Sequence, residues 1–369
     1  MMVDELRAGG AERFAVALAS EIDHERFDVV LVVTRRGEWP DERAHVLRRG
    51  VDLLELGRGS TLEFGPWLRL ARFLRDHDVD VLHAHKFGSN VWASIVGRAA
   101  GVPVVIATEH TWSFEGQRLR RVLDRRLVGR ATDVTVAVSE ADRERMIAVE
   151  RIAPDHIRVI PTGLVPPLDR PPARAADLRG EVGAPPGALL VLTACQLRPQ
   201  KALEVLLEAH ASLRERVPAV LVIAGDGPER GRLEAHSRTL GDDAVHFLGE
   251  RDDVASLLAQ CDVFAMSSDN EGTPLALIEA MSAGRAIVAT DVGGIPAMTP
   301  DRECALLVPA RDPAALADAL TRLARDPALR ERLGSRALRR SGEYAFPRVV
   351  AAWQDLYVEL LAARSAPAA

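Results

Sequence analysis

The chain has 369 residues, more than one core usually spans, so two domains of ordinary size are expected. Nearly half of it is apolar (47%) and the net charge is −6, which excludes the basic balance of a general nucleic-acid binder. Cys195, Cys261 and Cys304 are far apart and odd in number, which argues against a disulfide framework and a cysteine metal site. The opening residues lack a secretory leader's pattern and no apolar run approaches membrane-spanning length. A soluble cytoplasmic protein is therefore expected.

Gly9-Gly10-Ala11-Glu12-Arg13 opens a predicted helix whose apolar side is Phe14, Leu18 and Ile22. Strand and helix patterns then alternate. Strands are predicted at 28–34, 51–56, 79–84, 104–108, 134–138 and 157–160, and helices at 65–77, 88–100 and 119–130. Continuous apolar strands between helices imply a parallel sheet covered on both faces, with ligands beyond its C-terminal strand ends. Three features fall at those ends: the Gly9-Gly10 turn, His83-Ala84-His85, and Glu109-His110. Gly10 lets a backbone come close to a ligand. His83 reads as a packed or surface residue. His83 and His85 have metal-ligand spacing, but no third ligand accompanies them. His110, just past a strand end, is the better placed candidate.

Before the glycine turn only Met1 to Leu6 are available for a strand, which is short for the first strand of a doubly wound domain. The encoded start is therefore expected to lie upstream, and mass spectrometry of the native N-terminal peptide tests this. Further on, Arg118 to Arg130 holds six arginines against one acid, Asp124, with Leu119, Val122, Leu123 and Leu127 as an apolar side. A solvated helix face is the commoner explanation. The alternative is peripheral contact with anionic lipid at the inner membrane face.

The Pro/Gly-rich stretch 166–187 reads as a linker with a short helix around 174–182. It separates a first domain, 1–165, from a second, 188–345, and a last segment, 346–369, follows. In the second domain strands are predicted at 189–194, 219–224, 245–248, 262–266 and 286–290. Helices are predicted at 202–216, 228–240, 252–260, 313–325 and 327–341, and an amphipathic one at 347–363. A further helix should start at Pro274, whose fixed φ suits the first helical position, and end at Gly284. Glu271 lies just outside its N-terminus and Glu279 inside it. Between them, free N–H groups and the positive helix end form an anion site. Two carboxylates astride a phosphate site suit a nucleotide-sugar, with ribose at one end and hexose at the other. An ordinary helix with a solvated Glu279 fits the same residues, and the segment alone leaves both readings open.

Gly9 to Arg13, Gly225-Asp226-Gly227-Pro228-Glu229, Glu271 and Glu279 in the frame E-x7-E, and Asp291-Val292-Gly293-Gly294-Ile295-Pro296 follow in order. Together they resemble glycosyltransferase family 4 over almost the whole chain. The resemblance implies a GT-B fold: two Rossmann-like doubly wound α/β domains facing across a cleft, with the C-terminal helix crossing back to the first. It implies a retaining hexosyltransferase, needing no metal or other cofactor, that serves glycan, glycolipid or glycoconjugate biosynthesis. The donor is a UDP- or GDP-linked sugar, and the acceptor is a carbohydrate, a lipid-linked sugar or a small molecule. The alternatives are a non-catalytic nucleotide-sugar-binding protein and a GT-B epimerase.

Carried over residue by residue, Glu279 holds the ribose hydroxyls and Glu271 the donor-sugar hydroxyls. The backbone from Thr273 through Pro274 and Leu275 to Ala276 meets the pyrophosphate and sugar. Lys201 neutralises the diphosphate and Gly225 belongs to the donor loop. Gly10 approaches the phosphate from the first domain, and His110 contacts the donor sugar near the reacting carbon. Several positions depart from the family pattern. An Arg usual five residues before the Lys is Gln196, although Arg198, two residues on, would lie on the same strand face. A Gly after the Lys is Ala202, an Asn-Gly is Thr162-Gly163, a Glu after Gly-Gly-Ile-Pro is Ala297, and a Gly before the next strand is Ala305. Losing the Arg contact is worth about 1.5–3 kcal/mol, which weakens a phosphate site without abolishing it.

Overall fold

The computed structural model describes residues 1–6, 9–60, 63–110, 118–166, 177–300 and 303–365. The chain forms two compact units, Met1–Asp169 with Ala345–Ala369, and Arg170–Tyr344.

The first unit is built on seven strands: β1 (Met2–Val3), β2 (Val30–Arg35), β3 (Asp52–Arg58), β4 (Val81–His85), β5 (Val104–Glu109), β6 (Val134–Ala137) and β7 (Ile157–Val159). All are parallel, in the order β3-β2-β1-β4-β5-β6-β7, so the winding reverses between β1 and β4. The two-residue β1 is therefore central: Met2 pairs with Val32 on one side and Ala84 on the other. Every residue of β5 and β6 is buried, as covering on both faces requires.

The helix Phe346–Ser365 belongs to this first unit although it ends the chain. Trp353, fully buried, stacks on His83 with ring centroids 4.4 Å apart. The Tyr357 hydroxyl lies 2.7 Å from His83 Nδ1, and Gln354 Oε1 accepts the Asp23 N–H at 2.9 Å. The expected return of the last helix is thus made through aromatic and polar contacts as well as its apolar face.

The second unit repeats the design with six strands: β8 (Leu189–Ala194), β9 (Ala219–Ala224), β10 (Val245–Gly249), β11 (Val263–Met266), β12 (Ala286–Thr290) and β13 (Leu306–Val308). Their order is β10-β9-β8-β11-β12-β13, and the winding reverses between β8 and β11. In each unit the reversal opens a crevice at the strand ends, where ligands of such sheets bind.

Some elements differ from expectation. The helix Pro40–Arg48 was not anticipated, because only His45 and Val46 in it are buried and it has no apolar stripe. Arg118 to Arg130 is not one α-helix. It is α-helical over Arg118–Leu123, widens to a π-turn over Asp124–Val128, and closes with Gly129–Ala131. The wide turn directs both Asp124 and Val128 inward, so the one acid of the stretch does not offset its surface arginines. Of the expected helix at 174–182, only Leu178–Glu181 is helical among the described residues. No helix among the described residues is long and apolar enough to cross a membrane.

The end of β4 is a polar pocket in the core. His83 and His85 are buried, and His83 is held by Tyr357 and by Thr108 Oγ1, the latter 2.7 Å from Nε2. Burial holds both histidines well below the ordinary imidazole value, so both are neutral in the folded chain. The unfolded chain takes up those protons near its ordinary value. Stability should then be whole above about pH 6.5 and fall as pH drops below it, by up to about 1.4 kcal/mol per pH unit for each histidine. Urea melts from pH 8 to 5 measure the slope, and His85→Gln should flatten it. An unaltered slope in that variant would place the acid lability elsewhere.

Candidate functional site

In the second unit, loops at the C-terminal ends of four strands are brought together by glycines. Gly225 has φ 134°, and a Cβ there would come within 1.9 Å of the Cys195 carbonyl oxygen; at Gly227 one would lie 2.5 Å from the Leu197 oxygen. The Leu197 N–H donates to Asp226 O (2.9 Å) and the Glu229 N–H to Leu197 O (3.1 Å). Gly293 has φ 54°, and a Cβ there would sit 1.8 Å from the Glu271 carbonyl oxygen, which accepts the Gly294 N–H at 3.0 Å. The Gly-Asp-Gly-Pro turn thus supports the loop carrying Gln196 to Lys201. The Gly-Gly turn after β12 supports Glu271.

Those supports bring two predicted residues into contact. Lys201 Nζ lies 2.6 Å from Glu271 Oε1, with side chains only 16% and 8% exposed. Their backbones are tied as well: the Asp269 N–H donates to Gln200 O (2.9 Å) and Ser267 Oγ to Lys201 O (2.9 Å). Burial alone would lower the Lys201 pKa, but the Glu271 carboxylate outweighs it and the net shift is upward. Burial pushes the neighbouring Cys195 thiol up to about 11. Gln196 and Arg198 lie in a loop, not a strand, yet both are exposed on either side of the buried Leu197. The Arg198 charge bears on Lys201, lowering its pKa slightly, so both cations serve one region.

The helix after β11 spans Leu275–Ser282. Pro274 is its cap and not its first turn residue: φ is −69°, as proline requires, but ψ is 119°, still extended. Its carbonyl accepts the N–H groups of Leu277 (3.1 Å) and Ile278 (3.3 Å). The N–H groups of Leu275 and Ala276 are left at the open end of the helix, next to Thr273. Glu279, half-buried, follows one turn along.

The first unit holds the other two predicted residues. Gly10 starts the helix Gly10–Glu21, capped by Gly9. His110 follows β5 and is partly exposed, its Nε2 3.2 Å from His85 Nδ1 and its ring 5.7 Å from that of Phe14. Burial, and then the Lys86 ammonium, lower its pKa to about 3, so it stands ready as a neutral hydrogen-bonding group. Sequence reasoning missed Lys86. It has φ 72° and ψ 154°, a conformation almost confined to glycine, and pairs with buried Glu12. Its place directly after the β4 end was the only available signal. Ser268 was missed too: nothing in its local pattern sets it apart from Ser267.

Comparison with known proteins is consistent across both units. The family model described as Glycosyltransferase Family 4 matches residues 8–166, and that described as Glycosyl transferases group 1 matches residues 188–326. A D-inositol 3-phosphate glycosyltransferase of Saccharomonospora viridis is 30% identical over 320 residues, 80% of this chain and 74% of that protein. A phosphatidyl-myo-inositol mannosyltransferase of Mycobacterium leprae is 33% identical over 311 residues, 79% and 78% of the two chains. Anabaena HepE in complex with UDP and glucose has a similar structure, with TM-score 0.82 at 19% identity over 97% of this chain and 98% of that one. The fold is the GT-B type.

Two substitutions probe the supports. Gly293→Ala should lose about 2–4 kcal/mol in denaturant melts, since its Cβ meets backbone and its φ is left-handed. Ala202 has φ 45° and ψ 43°, which explains a glycine at that place in the family pattern. Ala202→Gly should gain about 1 kcal/mol in the same melts, and a loss there would show that the strain is relieved elsewhere.

Proposed function

The chain belongs to glycosyltransferase family 4, and from that premise we propose that it moves a hexose from a nucleoside-diphosphate sugar to an acceptor hydroxyl with retained anomeric configuration. The observation that carries the proposal is the buried Lys201–Glu271 pair in the same strand-end cluster as the open helix end at Leu275. The departing diphosphate gains negative charge in the transition state. Lys201, Arg198 and the helix N-terminus are fixed positive groups suited to receive it. They supply the charge stabilisation that a metal would otherwise give, so the reaction is proposed to proceed without one. A diphosphate oxygen then takes the acceptor proton. Glu271 takes donor-sugar hydroxyls, Glu279 takes the ribose, and the neutral His110 contacts the sugar near its reacting carbon.

The relatives named for inositol 3-phosphate and phosphatidyl-myo-inositol support an acceptor of the polyol or carbohydrate class, free or lipid-linked. The complex of Anabaena HepE with UDP and glucose supports a nucleotide-sugar donor. Calorimetric titration with UDP, GDP, ADP and their hexose conjugates tests the donor. One series should bind saturably and be lost in Glu279→Ala; binding of none would sink the reading. Lys201→Ala should weaken the bound diphosphate about ten- to a hundredfold, and both it and Glu271→Ala should abolish transfer in a folded protein. Near-normal turnover in either variant removes that residue from the mechanism.

A second proposal concerns location. Leu119 and Val122 are 73% and 48% exposed beside the exposed Arg118, Arg125 and Arg126. Among the described residues no carboxylate pairs with those three arginines. The surface suits peripheral contact with anionic lipid, which a lipid-linked acceptor would use. The protein should sediment with phosphatidylglycerol vesicles at low salt and not with phosphatidylcholine vesicles. Leu119→Ser with Val122→Ser should weaken that binding, and indifference to lipid charge would refute the contact.

A further inference from the structure

We propose that Ser268 is a positioning residue that orients Glu271 toward the donor sugar; this rests on the donor-site reading above. Ser268 is 1% exposed and lies in the loop after β11. Its hydroxyl donates to Glu271 Oε1 at 2.6 Å, a short hydrogen bond of the charge-assisted kind. Its carbonyl accepts the Thr290 hydroxyl at 2.6 Å, which ties the Ser268 backbone to the end of β12. The donor to Glu271 is therefore mounted on a rigid support.

The geometry divides the carboxylate in two. Oε1 receives both Lys201 Nζ and Ser268 Oγ, each at 2.6 Å, while Oε2 has no hydrogen-bond partner among the described residues. Two donors converging on one oxygen fix the rotation of the carboxylate. The other oxygen is then held ready to accept a sugar hydroxyl. Lys201 alone is poorly suited to this task, because the diphosphate competes for its charge when the donor arrives. Ser268 is neutral and has no such second claim. It keeps Oε1 in place while Lys201 shares its hydrogens with the phosphate.

The test separates recognition of the sugar from recognition of the diphosphate. Affinities are measured for UDP against UDP-glucose and GDP against GDP-mannose, using whichever pair the wild-type chain binds. Ser268→Ala should bind the nucleoside diphosphate as wild type does, which also reports that it folds. Its preference for the sugar conjugate should drop about tenfold, the share of a hydrogen bond to a charged group. Ser268→Cys, similar in size but a weak donor, should behave like the alanine variant. In a Glu271→Ala background, Ser268→Ala should change nothing further, because Ser268 acts through Glu271. An unchanged sugar preference, restoration by cysteine, or a full additional loss in the Glu271→Ala background would each overturn the proposal. Failure of the wild type to bind either pair would overturn the donor-site reading itself, and this inference with it.

Discussion

Two opposite charges withdrawn from water are stable together only if each is kept within reach of the other. Lys201 and Glu271 are 2.6 Å apart and mostly buried, and removing either would strand a charge in a low-dielectric site. The second unit is arranged around that requirement. Gly293 and Gly294 grip the Glu271 backbone, and Gly225 and Gly227 admit the loop that carries Lys201. At Gly225, Gly227 and Gly293 glycine is needed because no side chain fits where one backbone touches another. The pair is thus a product of the sheet order: β8 and β11 are neighbours, so the loops that follow them meet.

The first unit solves a related problem with neutral groups. Its strand ends bury His83 and His85, and burial, reinforced by the N-terminal ammonium and the neighbouring His110, keeps them uncharged. Thr108 and Tyr357 meet the two ring nitrogens of His83, His110 meets Nδ1 of His85, and Trp353 stacks on the His83 ring. The last helix therefore completes the polar core of a unit whose other elements come from the first 169 residues. That helix is partly specified by hydrogen bonding, which sets its rotation and depth more tightly than apolar packing would. The same arrangement places a neutral His110 at the strand-end crevice, where a charged imidazole would be repelled by Lys86.

Arg118 to Arg130 shows how a local pattern misleads in detail. Apolar spacing suggested a uniform helix with one balancing acid. The π-turn instead buries Asp124 beside Arg120, 3.6 Å away, and leaves the outward arginines more dominant than composition implied. Pro274 misled by a single residue, because its fixed φ suits a cap as well as a first turn while ψ, which decides between them, is not set by the ring.

By itself the sequence determined what depends on neighbours along the chain. The alternation of apolar strands with helices, the glycine turns, and the spacing of Glu271 and Glu279 were all legible, because strand and helix periods and φ freedom are local properties. Only the tertiary structure decided that Lys201 and Ser268 both donate to one oxygen of Glu271, 70 positions from Lys201, and that Tyr357 reaches His83 across 274 positions. It also decided that the two residues of β1 form the centre of a seven-stranded sheet. Those facts follow from which strands lie side by side and which backbones can touch. Both are settled by packing over the whole unit, and no window of sequence contains that information.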